Sequence, residues 1–179
     1  MVDEESDDSG EHHKSVYAHF GAAMYFAQCL EHGLVNALVY LDLIPNHARS
    51  AQSSTEWQAS VDGFMDRQFE NTLGQLVRRL SRVATVPTGL STQLENALRL
   101  RNWLAHDYFR ERATAWFSSD ERDRMIEELE RCRTTFQEAD QLLDATFKPV
   151  RERYGLTDER LERAYDELRA ELAANRPRS

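Results

Sequence analysis

Apolar residues recur every three or four positions through most of this chain, which is the spacing that lines one face of an α-helix. The first long run holds nine of them: Val16, Phe20, Ala23, Ala27, Leu30, Leu34, Ala37, Leu38 and Leu41. The whole pattern predicts five helices, of which the first covers 13–42 and the second 55–83. The third is capped by Ser91 and ends within 101–108, and the fourth starts at Ser118 or Ser119 and weakens near Pro149. Thr157 caps the fifth.

Short polar segments rich in turn-forming residues separate these runs, as at 45–54 and 87–89. Helices joined by short loops predict an all-α antiparallel four-helix bundle, followed by an additional C-terminal amphipathic helix. We predict three regions: a disordered acidic tail over 1–11, the bundle over 12–148 and a helical extension over 149–179. The last helix either covers the bundle or pairs with a second subunit.

Composition narrows the class of protein. The 179 residues are 41% hydrophobic and 30% charged, with only 7 Gly and 4 Pro, as expected of a helical globular protein. No apolar run is long enough to span a membrane and no signal peptide opens the chain. Two cysteines are too few for a disulfide scaffold, so a reduced, cytoplasmic protein is expected.

The charge is unevenly distributed. The net charge of −9 opposes nucleic-acid binding overall. Residues 76–112, however, hold seven arginines against three acids, a local charge of +4. Arginine suits bidentate phosphate contacts and base stacking. This basic stretch therefore either contacts a phosphate backbone or pairs with the acidic C-terminal helices, and the sequence favours neither.

The most unusual stretch is 101–108, which reads Arg-Asn-Trp-Leu-Ala-His-Asp-Tyr. Arg101 lies in the middle of an apolar stripe, where the pattern requires a leucine. A guanidinium on such a face must be paired or must serve a purpose, because burying an unpaired charge is costly. Histidine exchanges protons near neutral pH, so His106 is a candidate acid or base. Asn102 lies one turn before His106 and would orient it or a phosphate.

The residues Arg101, Asn102 and His106 resemble the Arg-x4–6-His motif of HEPN domains. With Tyr108 the motif becomes Arg-x4-His-x-Tyr, the form of HepT-like toxins that are paired with nucleotidyltransferase antitoxins. The resemblance implies a dimeric helical bundle that cleaves RNA, with tRNA as a candidate substrate, with no metal and no cofactor, as a toxin or phage-defence effector. It also implies that an antitoxin modifies Tyr108, and it points to neither DNA nor membrane.

In this interpretation Arg101 and His106 are catalytic together with Asn102, and Arg99, Arg110 and Arg112 are RNA-binding candidates. Five residues of ideal helix separate Arg101 from His106 by about 140° around the axis. Within one chain the two side chains meet only if the helix distorts or ends between them. The resemblance to HEPN ribonucleases implies the other solution, in which arginine from one subunit lies beside histidine from the other across a two-fold axis.

More ordinary interpretations remain open. For Tyr108 the sequence slightly favours a core tyrosine with a hydrogen-bonded hydroxyl, and for Asn102 a solvated helix residue is an equal alternative. Cys29-x-x-His32 is half of a zinc pattern and is read as a packed helix face. Glu31 and His32 are expected to approach the motif helix. For the whole protein, the alternatives are a catalytically inactive HEPN-like module that binds RNA, nucleotide or a nucleotidyltransferase, and a helical adaptor whose motif arose by chance.

Overall fold

The computed structural model describes residues 4–47 and 53–174, which form helices and short turns without any strand. The helices are α1 (Glu4–Leu38), α2 (Ile44–His47), α3 (Ser54–Phe69), α4 (Leu73–Val83), α5 (Thr88–His106), α6 (Tyr108–Glu111), α7 (Ser119–Arg153) and α8 (Asp158–Ala174). A π-helical turn, Val39–Leu43, joins α1 to α2, and a 3-10 turn, Ala115–Phe117, precedes α7. The predicted all-α class is confirmed. None of the helices in these two ranges is both long and apolar enough to cross a membrane.

The two 35-residue helices α1 and α7 form the centre of the fold and run parallel to each other. His12 lies 3.0 Å from Asp123, and His19 lies 3.4 Å from Glu130 further along. Both helices advance in the same direction between these two contacts. The predicted bundle of antiparallel neighbours therefore differs from the structure at its main interface, because the intervening elements return the chain to the end where it began.

Helix α5 packs against both central helices and runs antiparallel to α7. Gln93, near its start, bonds Glu138, whereas Tyr108, just beyond its end, bonds Met125. Helix α4 packs on α1 and α5, and α3 packs on α1. The core between these helices is mainly aliphatic, with Leu30, Leu34, Leu38, Leu80, Leu94 and Leu129 nearly or completely buried, and it also contains the aromatic Phe136.

The predicted helix over 55–83 is in fact two helices, α3 and α4. The break lies before Thr72, whose backbone is extended (φ −72°, ψ 158°) and whose side chain accepts a hydrogen bond from the backbone of Gln75. The Gln75 side chain in turn accepts one from the Thr72 backbone at 2.7 Å. This capping box provides partners for amides that a new helix would leave unpaired, so the chain can change direction here.

Three other boundaries differ from prediction. Helix α1 begins at Glu4, so it includes most of the segment that we predicted to be a disordered tail, and residues 1–3 of that tail lie outside the described residues. Acidic residues are favourable at a helix N-terminus. Pro45 lies in the short helix α2, and Pro149 lies within α7. Pro149 is tolerated because it is exposed and only four residues from the helix end, so little helix depends on the lost hydrogen bond.

The start of α7 at Ser119 and the cap of α8 are as predicted. Gly155 adopts a left-handed conformation (φ 76°), which ends the preceding helix, and Thr157 caps α8 through a 3.4 Å bond from the Arg160 backbone. Asp158, the first residue of α8, accepts hydrogen bonds from Arg151 and Lys148 of α7. These contacts fix the start of the extension against the rest of the fold.

Candidate active site at the C-terminal end of α5

The turn that follows α5 is held by Tyr108, whose side chain is completely buried. Its hydroxyl donates a 3.3 Å hydrogen bond to the backbone carbonyl of Met125 in α7. Its ring lies 4.9 Å from that of Trp103, 5.9 Å from Phe20 and 5.2 Å from Phe109. Burial, followed by the negative charge of Glu128, raises the pKa of the hydroxyl far above its usual range. Tyr108 therefore stays protonated and anchors the chain at the point where α5 ends.

Side chains around Tyr108 reinforce this anchor. Trp103 donates to Glu111 at 2.8 Å. The Arg112 guanidinium lies 5.4 Å from the Trp103 ring and 6.0 Å from the Tyr108 ring. It also donates two hydrogen bonds to Glu128 of α7, at 2.9 and 2.6 Å. The last turn of α5 and all of α6 are thereby fixed to α7.

The anchored turn presents two motif residues to solvent. His106 occupies the last position of α5, and Asn102 lies one turn before it on the same face. Both residues are exposed. Neither side chain forms a hydrogen bond or ion pair with any residue in 10–47 or 53–174. An exposed imidazole and an exposed carboxamide are thus available together for a ligand.

Arg101 is held on a different side of α5. Its Nε lies 3.4 Å from Oε1 of Glu31 on α1, and the two side chains are 25% and 21% exposed. The expected approach of Glu31 to the motif helix is confirmed, and it explains how a charge is accommodated within the apolar stripe. The His32 ring lies 4.8 Å from that of Phe69 in α3. Since α5 is helical through His106, Arg101 and His106 point about 140° apart and do not meet within one chain.

The three RNA-binding candidates have different environments. Arg99 is exposed and donates to Asn96 at 2.7 Å, and Arg110 is exposed and pairs with Asp107 one turn away. Arg112 is partly buried and already occupied by its two bonds to Glu128. Two of the three guanidiniums are therefore available at the surface, while the third maintains the fold of the turn.

The arginines of the basic stretch 76–112 mostly do not pair with the acidic C-terminal helices. Arg112 pairs with Glu128 of α7, whereas Arg79 pairs with Asp42 of the π-helical turn and Arg101 with Glu31 of α1. Arg78, Arg82 and Arg99 form no ion pair within the described part of the chain, so a positive surface remains.

Sequence analysis missed two residues that shape this site. Phe20 of α1 stacks on Tyr108, and Glu128 of α7 holds Arg112. Phe20 was assigned to the core face of its helix, but nothing in a single sequence connects it with a residue 88 positions later. Glu128 lies on a helix with many acids, and no spacing rule distinguishes it from them.

Comparisons with known proteins identify no family for this chain. In the described ranges no three His, Cys, Asp or Glu side chains are grouped as a metal would require. No protein-family model, curated protein or solved structure matches this chain.

Proposed function

We propose that this protein is an HEPN-type endoribonuclease whose active site forms between two copies of the chain. The observation that carries the proposal is the anchored turn at the end of α5. This turn presents His106 and Asn102 to solvent, with no hydrogen-bond or ion-pair partner for either side chain in the described part of the chain, while Arg101 lies on another side of the same helix. A rigid support beneath an exposed acid–base residue is what catalysis by positioning needs.

The proposed reaction uses the RNA's own 2′-hydroxyl. His106 takes the proton from this hydroxyl, and the resulting oxygen attacks the adjacent phosphorus. Arg101 of the partner subunit contacts the non-bridging phosphate oxygens, where negative charge accumulates in the transition state. The bond from phosphorus to the 5′-oxygen breaks, and water protonates the leaving oxygen. The products are a 2′,3′-cyclic phosphate and a 5′-hydroxyl end.

Two copies are proposed because a single chain separates the two catalytic side chains. A two-fold axis near the end of α5 would place Arg101 of each subunit beside His106 of the other. Arg99 and Arg110, both exposed, would then flank the shared cleft and contact the RNA backbone. The substrate class is RNA, with tRNA as the first species to test.

The decisive experiment compares the wild type with Arg101→Ala and His106→Ala on labelled tRNA and total RNA, with EDTA and with Mg²⁺. Arg169→Ala and His47→Ala remove an exposed arginine of α8 and an exposed histidine of α2, both outside the motif and its supporting residues, and serve as matched controls. We expect cleavage by the wild type and both controls, and none by the two motif variants. Cleavage by folded His106→Ala would refute the proposed role of His106.

A mixing experiment tests the shared site. When Arg101→Ala and His106→Ala subunits are combined after unfolding and refolding, half the dimers are mixed, and each mixed dimer has one intact Arg–His pair. We expect about a quarter of the wild-type activity to return. A site contained within one chain predicts no recovery, and light scattering establishes whether the dimers form.

A second function is favoured by one observation, the Arg101–Glu31 ion pair. A guanidinium already neutralised by a carboxylate is a weaker phosphate ligand, which suits a catalytically inactive module that binds RNA, nucleotide or a nucleotidyltransferase. The same assay separates the two functions, because the inactive module would retard RNA or nucleotide without cleaving RNA. Modification of Tyr108 by an antitoxin would require α6 to open, since the hydroxyl is buried.

A further inference from the structure

A cavity of about 450 Å³ lies between α1, the π-helical turn, α3, α7 and α8. It is distinct from the end of α5. Phe20 contacts the motif, whereas Asn36 lines the cavity, and the 16 residues between them correspond to about 24 Å of helix. The volume is in the usual range for small-molecule sites. π-Helical turns are rare and are often found at functional sites, and this one supplies Val39 and Tyr40 to the cavity wall.

Most of the cavity wall is apolar, and α3, α7 and α8 all contribute apolar side chains to it. Val61 and Met65 come from α3, Leu143 from α7 and Leu161 from α8. Tyr165 of α8 lies at the same wall and is 61% exposed, so the cavity is open to solvent on this side. Such a wall suits the hydrocarbon or aromatic body of a ligand.

The positive charge in the cavity is already compensated. Arg151 is 5% exposed and donates to Asp144 at 3.0 and 3.3 Å, to the carbonyl of Leu156 at 2.6 Å and to Asp158. These bonds use four of its five N–H donors and place two carboxylates against one guanidinium. Arg151 therefore holds α8 on α7 and has little capacity left for an anionic ligand.

Asp140 supplies a negative charge that has no such partner. It forms no hydrogen bond or ion pair with any described residue, and it lines the cavity next to Asp144. Its carboxylate lies directly on the backbone of α1, since a Cβ placed on Gly33 would be only 2.2 Å from Oδ1. Burial, followed by the charge of Asp144, raises the pKa of this carboxyl group. A cation in the cavity would stabilise the ionised Asp140 carboxylate, and so offset both the cost of its burial and its repulsion by Asp144.

We propose that this cavity binds a small organic cation: a primary amine or similar group on an apolar body. The ammonium contacts Asp140 and the face of Tyr40, and the body lies on Val61, Met65 and Leu161. An anion of the same shape is disfavoured, because Asp140 and Asp144 face it while Arg151 is occupied. The proposed cation site shares no residue with the proposed ribonuclease site, so each can be tested separately.

The test uses two probes of nearly equal shape and opposite charge, 2-phenylethylamine and 3-phenylpropionate, titrated at pH 7 and followed by heteronuclear NMR. We expect the amine to shift resonances of residues around the cavity with a millimolar dissociation constant, and the carboxylate to shift none of them. Equal binding of both probes, or no binding of the amine, would overturn the proposal.

Variants identify the carboxylate responsible. Asp140→Asn keeps the shape and removes the charge, and it is expected to weaken amine binding at least about tenfold, equivalent to about 1.4 kcal/mol. Gly33→Ala is expected to weaken it as well, because the added methyl group must displace the Asp140 carboxylate. Asp120→Asn, an exposed aspartate at the other end of α7, is the matched control and should bind as the wild type does. Unchanged affinity in folded Asp140→Asn would show that the charge has no role.

Discussion

Tyr108 gives the sharpest test of how the candidate active site is held together, because its ring and its hydroxyl make separable contributions. Tyr108→Phe removes only the 3.3 Å bond to the Met125 carbonyl. That carbonyl lies inside α7 and also accepts a hydrogen bond from its own helix, so it is not left unsatisfied. We therefore expect a loss of about 0.5–1 kcal/mol in the free energy of unfolding, the lower part of the range for a hydrogen bond.

Tyr108→Ala removes the ring as well, and with it the contacts to three neighbouring rings. Truncating a completely buried aromatic residue costs about 3–5 kcal/mol, because the contacts are lost and a cavity remains. Against a typical total of about 5–15 kcal/mol, this is a large part of the stability of the protein.

Urea unfolding followed by circular dichroism measures both variants, and RNA cleavage measures what happens to the turn. We expect Tyr108→Phe to keep near wild-type activity and Tyr108→Ala to lose activity even under conditions where it remains folded. Equal destabilisation of the two variants would refute the proposed role of the Tyr108 ring, and so would a loss of less than about 1 kcal/mol in Tyr108→Ala. Either result would mean that the ring packing does not anchor the end of α5.

Three further measurements address other parts of the fold. Thr72→Ala should cost about 1 kcal/mol in urea unfolding by removing the cap of α4, whereas Thr72→Ser should cost little, and equal losses would argue against the cap. Burial raises the pKa of Cys132 to about 11, so only ~0.1% of this thiol is thiolate at pH 8. Cys132 should therefore react with Ellman's reagent only on unfolding, after the partly exposed Cys29 has reacted. Two equally fast thiols would contradict this. Burial raises the pKa of Tyr40 to about 12 and that of Tyr108 further, so above about pH 10 the unfolded chain loses protons that the folded chain keeps, and stability should fall as pH rises. Tyr40→Phe should make this fall shallower, and an unchanged slope would show that Tyr40 ionises freely in the folded state.

The sequence was most informative where one periodic run forms one helix. The apolar spacing predicts the body of α1 and α7, and Gly155 and Thr157 mark the change from α7 to α8 correctly. The prediction of one helix over 55–83 was wrong at Thr72, because the apolar pattern continues through the break. Only the Thr-x-x-Gln capping signal indicates a new helix there.

For the candidate site, the sequence identified the residues but not their surroundings. The apolar stripe correctly indicated that Arg101 needed a partner, and Glu31 is that partner. Periodicity describes one helix at a time, however, so it could not show that Arg112 is held by Glu128, or that Asp140 faces the π-helical turn. Contacts of this kind depend on how helices are arranged in space, which local spacing does not determine.

The parallel pairing of α1 with α7 has a consequence for how the chain reaches its native state. The contact between His12 and Asp123 closes a loop of about 110 residues, a long separation for a helical protein, in which most contacts are local. Helix α1 is synthesised before α7, so the part of its apolar face that packs on α7 remains uncovered until α7 has been made. We therefore expect slow folding for an all-helical chain, and a nascent chain that exposes this face of α1 until α7 is available.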